Sequence, residues 1–217
     1  MKFLLTSAGI TNKSIAQAVL DLVGLAAEKI KVAFVPTAAD RYEGDKGWLI
    51  DNLSQFKAQG YAQVDIVDIA AMSKAQSLPR LEAAHVICFG GGSEYHLLTS
   101  LREKGLDIEL PRLLETRVHV GISAGSMIAG HFIDKDVCNW LYLEAQIPEE
   151  FEKPYGFVDC IILPHLNSEY TTRVRKENLD QLRGKYPHPI YVLDDQSALT
   201  VVDGKIEVIS EGEWITF

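Results

Sequence analysis

The run Gly121-Ile122-Ser123-Ala124-Gly125 is where this sequence concentrates its chemistry. A serine with glycine two residues to either side, entered from the apolar stretch 118–122, reads as a sharp strand-to-helix turn. Such a turn has no space for side chains beside the serine. It exposes the hydroxyl oxygen at a helix start, where free amides and the helix dipole favour negative charge. The chemistry this suits is nucleophilic attack by Ser123 on a carbonyl carbon. A turn that merely needed small residues would account for the glycines but not for the serine between them.

A nucleophilic serine needs a base, an acid to orient that base, and donors for the oxyanion. Among six histidines, only His165 directly follows an apolar strand-like run, Ile161-Ile162-Leu163-Pro164-His165. His85 begins a strand, His119 lies within one, His96 and His131 fall on expected helices, and His188 sits between two prolines. The acid is open between Asp194 and Asp195, in a turn after another strand, with Asp136 as a rival beyond the nucleophile. Gly90-Gly91-Gly92 also ends a strand, and no Lys-Ser/Thr follows it as a nucleotide P-loop requires. Ligands of an open parallel sheet sit beyond the carboxyl ends of its strands. Gly91 or Gly92 on one loop and Ala124 on the other are therefore the expected oxyanion donors.

These residues need a scaffold that brings strand ends together. Short branched apolar runs at 2–6, 31–35, 63–68, 85–89, 118–122 and 159–163 read as strands, with amphipathic helices at 13–25, 47–59 and 94–104. Gly60 stands where a helix stop belongs. Strand–helix alternation requires crossover connections, hence a mostly parallel, doubly wound sheet in a three-layer α/β sandwich. The tail differs: 190–193, 198–202 and 205–209 are short strands, and Asp203-Gly204 marks an antiparallel C-terminal hairpin. Residues 134–156 are the least regular and are expected to form a loop over the site. With 217 residues and no linker, one domain over 1–217 is expected.

Composition removes other classes. A formal net charge of −9 and no basic stripe argue against nucleic acid. No apolar run is long enough to span a bilayer, and the opening Met1-Lys2-Phe3-Leu4-Leu5 is too short for a signal-peptide core. Cys88, Cys138 and Cys160 lack metal-ligand spacing; Cys88 and Cys160, in apolar strand-like runs, read as buried thiols, and a reducing cytoplasm is expected. The expectation is a cytoplasmic monomer or homodimer acting on a small molecule, with no metal or cofactor.

Taken together, Phe89-Gly90-Gly91-Gly92 with Leu97-Leu98, Gly121-Ile122-Ser123-Ala124-Gly125 and Pro164-His165 resemble the peptidase E family, serine dipeptidases related to cyanophycinase. The order of the three motifs is more specific than any one of them, and the likeness spans almost the whole chain. It implies a fold similar to class I glutamine amidotransferases, and cleavage of short peptides, in some members those with N-terminal aspartate. Ser123 and His165 carry over directly. The family's third member is a glutamate in the turn after a late strand, and the matching position here is Asp195. Arg173 matches the arginine that recognises aspartate. A glutamine amidotransferase would need cysteine at the elbow, and an α/β-hydrolase esterase orders its triad nucleophile, acid, histidine. An esterase and a catalytically silent binding module on this scaffold are the alternatives.

Overall fold

The computed structural model describes residues 1–151 and 153–217. In chain order its elements are β1 (Lys2–Thr6), α1 (Lys13–Val23), β2 (Lys31–Val35), α2 (Gly47–Ala58), β3 (Gln63–Ile66), α3 (Lys74–Ala83) and β4 (Val86–Phe89). Next come α4 (Glu94–Glu103), α5 (Leu110–Leu113), β5 (Val118–Ile122), α6 (Ala124–Met127), α7 (Lys135–Leu141) and β6 (Ile161–Pro164). The chain finishes with α8 (Lys176–Leu179), β7 (Ile190–Leu193), β8 (Ser197–Val202), β9 (Lys205–Ser210) and β10 (Trp214–Thr216). Among the described residues, no helix is long and apolar enough to cross a membrane.

A seven-stranded sheet in the order β3-β2-β4-β5-β1-β8-β9 forms the centre. Its first five strands are mutually parallel, while β8 runs antiparallel to β1 and β9 to β8. Alternation along β2 shows why both faces are covered. Val32 and Phe34 pack with Ile15, Val19 and Phe56 of α1 and α2. Ala33 and Val35 pack with Leu81, Leu97 and Leu101 of α3 and α4 on the opposite face. Helix α1 illustrates the local logic: Asn12 caps it by accepting from the Ile15 amide, and Gly24 at φ +73° ends it.

Two expectations are corrected here. The strands at 161–164 and 190–193 do not join the central sheet; they pair in parallel and, with antiparallel β10, make a second small sheet ordered β10-β7-β6. Apolar patterning identifies a strand but not its partner, which may lie anywhere along the chain. The segment at 134–156 is not simply a loop, because it carries α7. Helix α3 was not anticipated either: it holds Pro79, yet Ser73 and Gln76 form a reciprocal capping box at its start. The Asp203-Gly204 hairpin is present, with φ of 49° and 85° as its turn requires. All three cysteines are free and buried.

The two sheets meet through one apolar layer. Phe3 and Leu5 of β1 and Leu199 and Val201 of β8 pack on Cys160, Ile162 and Leu193. This junction positions the site.

Candidate active site

Three adjacent strands of the central sheet, β4, β5 and β1, end side by side and deliver Gly90–Gly92, Ser123 and Ser7. The small sheet delivers the rest, since His165 follows β6 and Asp195 follows β7. Ser123 is held at φ 50°, ψ −111°, a conformation that non-glycine residues rarely adopt. Its glycine neighbours are obligatory. A Cβ on Gly121 would stand 2.6 Å from the Gly125 carbonyl oxygen, and one on Gly125 would stand 1.9 Å from that of Phe89. The Ser123 amide donates to Thr6 O at 3.0 Å, and the Ser126 hydroxyl to the same oxygen at 2.8 Å, which ties the elbow to β1.

His165 bridges Ser123 and Asp195. Its Nε2 lies 2.9 Å from Ser123 Oγ and its Nδ1 2.7 Å from Asp195 Oδ1. With Asp195 ionised, Nδ1 carries the proton and Nε2 is left to accept from the serine hydroxyl. Burial raises the Asp195 pKa, but the His165 hydrogen bond and charge, aided by the Ser7 hydroxyl, outweigh it and hold the carboxyl below its ordinary range. Asp194 is turned to other partners. It accepts from Ser197 Oγ, the Gln196 amide and the Glu213 amide, and so shapes the turn. The Asp136 side chain is 93% exposed beside Lys135.

Sequence reasoning passed over three contributors. Ser7 Oγ donates to Asp195 Oδ1 and accepts from the His165 amide, both at 2.8 Å, so one buried hydroxyl positions both residues. Trp48 borders Ser123: a Cβ on Gly91 would lie 3.4 Å from Ser123 Cβ and 3.6 Å from the indole. Tyr142 donates to Pro164 O at 3.0 Å beside His165, and Cys138 meets Glu94 at 3.3 Å next to the glycine loop, so the 134–145 segment is anchored at both sides of the site. A serine after a strand, or a tryptophan on a helix, carries no distinguishing pattern in sequence.

The amides of Gly91, Gly92 and Ala124 have no acceptor among the described residues. Gly92 has φ +127°, and a Cβ there would stand 2.2 Å from Ala38 O, so the loop requires glycine. Arg173 lies beyond His165, with Nη1 donating to Trp140 O at 3.0 Å and its guanidinium 5.7 Å from the Trp140 ring centroid. Its Nη2 has no acceptor among the described residues. Arg175, by contrast, spends its donors on the carbonyls of Ser168, Thr171 and Val174.

His119 supports the elbow from beneath. It is buried between the Phe3 and Phe89 rings, with Nε2 2.9 Å from Gly125 O. Burial, only partly offset by that hydrogen bond, pushes its pKa down to about 4. The unfolded chain protonates this histidine below about 6.5. Between the two values the unfolded state binds more protons, so the contribution is complete above about pH 6.5 and lost as pH falls towards about 4. The expected loss is roughly 3 kcal/mol across that window. Urea midpoints of the wild type should fall more steeply with acid than those of His119→Gln, whose amide still offers an N–H to Gly125. Parallel curves would show that another group is responsible.

The sequence matches the model of peptidase family S51 over residues 3–209. No curated protein matches significantly. Among solved structures, a protein assigned as a peptidase E from Listeria monocytogenes EGD-e superposes with a TM-score of 0.75 at 20% identity, over 97% of this chain and 98% of that one. A peptidase from an acI-B1 Actinobacterium gives 0.66 at 19% identity, over 100% and 96% respectively. At such identities the likeness speaks for the fold, while the family match covers nearly the entire sequence. A serine on a strained, glycine-flanked elbow under a histidine is thus the setting in which this chain belongs to peptidase family S51, the serine-type peptidases related to peptidase E.

Proposed function

We propose that this peptidase cleaves short peptides through a Ser123-His165-Asp195 triad and an acyl-enzyme, dipeptides with N-terminal aspartate among its substrates. The observation that carries the reading is the continuous chain of hydrogen bonds from Ser123 Oγ through the imidazole to Asp195. His165 takes the hydroxyl proton as Ser123 attacks, then returns it to the leaving amine, and water repeats the sequence to release the acid. The oxyanion falls to the free amides of Ala124 and Gly91 or Gly92. Trp48, 39% exposed beside the nucleophile, supplies an apolar wall for a substrate side chain.

Preference for an acidic N-terminal side falls to Arg173. The protein carries a net charge of −9, so an anionic substrate needs a local cation. With one arm held by Trp140, the guanidinium keeps Nη2 for a carboxylate. A dipeptide screen with the purified protein tests both levels of the reading. Arg173→Met should lower kcat/KM for Asp-Leu by about 10²-fold and leave Ala-Leu nearly unchanged. Equal losses on both substrates would remove Arg173 from recognition, and no hydrolysis of any dipeptide by the wild type would overturn the substrate class.

A further inference from the structure

The strands β6 and β7 that present His165 and Asp195 at their carboxyl ends gather a second group of chemical side chains at their opposite ends. Asp159 stands just before β6 and His188 just before β7. They are joined by His131, which lies past the end of α6 rather than on a helix. The three donor atoms lie within 4.8 Å of one another. Asp159 Oδ1 is 2.6 Å from His188 Nδ1 and 3.4 Å from His131 Nε2, and the two rings stack at 3.5 Å and 8°. We infer that His131, Asp159 and His188 form a binding site for a first-row divalent transition-metal ion, remote from the serine.

Donor chemistry selects this class of ligand. Two imidazoles and one carboxylate suit zinc and its first-row neighbours, whereas calcium and magnesium prefer sets of oxygens. Donors around a tetrahedral zinc at about 2.0–2.1 Å are about 3.4 Å apart. Reaching that spacing takes a slight opening of the Asp159–His188 contact and an approach of up to about 1.4 Å between the ring nitrogens, with both rings turned inward. Asp159 is free to swing because its side chain is 81% exposed. The histidines are pre-placed by their backbones. His131 N–H donates to Cys160 O at 2.8 Å, and His188 is flanked by Pro187 and Pro189. Gly156, at φ +63°, clears space for the His131 ring, since a Cβ there would stand 3.1 Å from Cε1. Water completes the coordination at this exposed position.

An ion held there ties the starts of β6 and β7 to the segment leaving the nucleophile helix, so its effect is on stability rather than on the chemical step. Zinc titrated calorimetrically into the wild type should bind one-to-one, and saturating zinc should raise Tm by about 5 °C. Asp159→Ala and His188→Ala should each weaken binding at least about tenfold and abolish the Tm rise, with kcat on any dipeptide substrate unchanged. Asp159 is exposed enough for its replacement to fold. Absence of zinc binding to the wild type would overturn the inference. So would binding that survives both substitutions but disappears in His165→Ala, since the ion would then sit at the triad.

Discussion

Ser123→Ala is expected to lower kcat/KM on dipeptides by about 10³-fold or more while leaving the fold intact. Alanine keeps the Cβ that already tolerates φ 50°, and among the described residues the hydroxyl bonds only to His165 Nε2. Nothing structural is therefore removed. What is lost is the acyl-enzyme route: without Oγ, water must attack directly, assisted only by binding and by the oxyanion amides. A fluorophosphonate probe should label the wild type at Ser123 and fail to label the variant. Turnover comparable to wild type in a folded Ser123→Ala protein would end the assignment of the nucleophile.

Asp195→Asn should cost about 10⁴-fold in kcat, the scale expected when the imidazolium loses its charge partner and the ring its tautomer. An amide cannot supply the charge that His165 needs once it has taken the serine proton. The Ser7 hydroxyl has an acceptor either way, so Tm should change far less than rate. Asp194→Asn is the matched control. Asp194 accepts from Ser197, Gln196 and Glu213, and its loss should appear chiefly as lower stability with a milder effect on turnover. Were Asp194→Asn the crippling change, the acid would have to be reassigned.

Legibility in the sequence followed a physical divide. The strand ends that carry chemistry were readable because branched apolar runs stop abruptly at glycine, serine or histidine. The elbow was readable because its glycines answer local sterics, contacts of 2.6 and 1.9 Å that any side chain would violate. Choosing Asp195 over Asp194 required the family resemblance. Adjacent residues in a turn point different ways, and composition does not say which one meets His165. Ser7 and the β6-β7-β10 sheet were hidden because both depend on pairing between distant segments. The His131, Asp159 and His188 group was missed for the same reason, as the parallel pairing of β6 and β7 brings Asp159 to His188 and the bond from the His131 amide to Cys160 O brings the third.

Because Ser123 follows a strand of the central sheet while His165 and Asp195 follow strands of the small one, the hydrogen bonds joining the three gauge the alignment of the two sheets. Between the sheets lie the packing of Phe3, Leu5 and Leu199 against Ile162 and Leu193 and a few hydrogen bonds, those of Ser7 among them. Hydrogen bonds weaken steeply with distance and angle, whereas an apolar contact tolerates small slippage. A slide of under an ångström along that seam would leave the hydrophobic layer and the melting temperature nearly untouched while uncoupling base from nucleophile. Ser7, just past the end of β1, reaches both His165 and Asp195, and so acts as the detent that stops such a slide. A substitution in this seam can therefore leave the protein folded yet misalign His165 with Ser123.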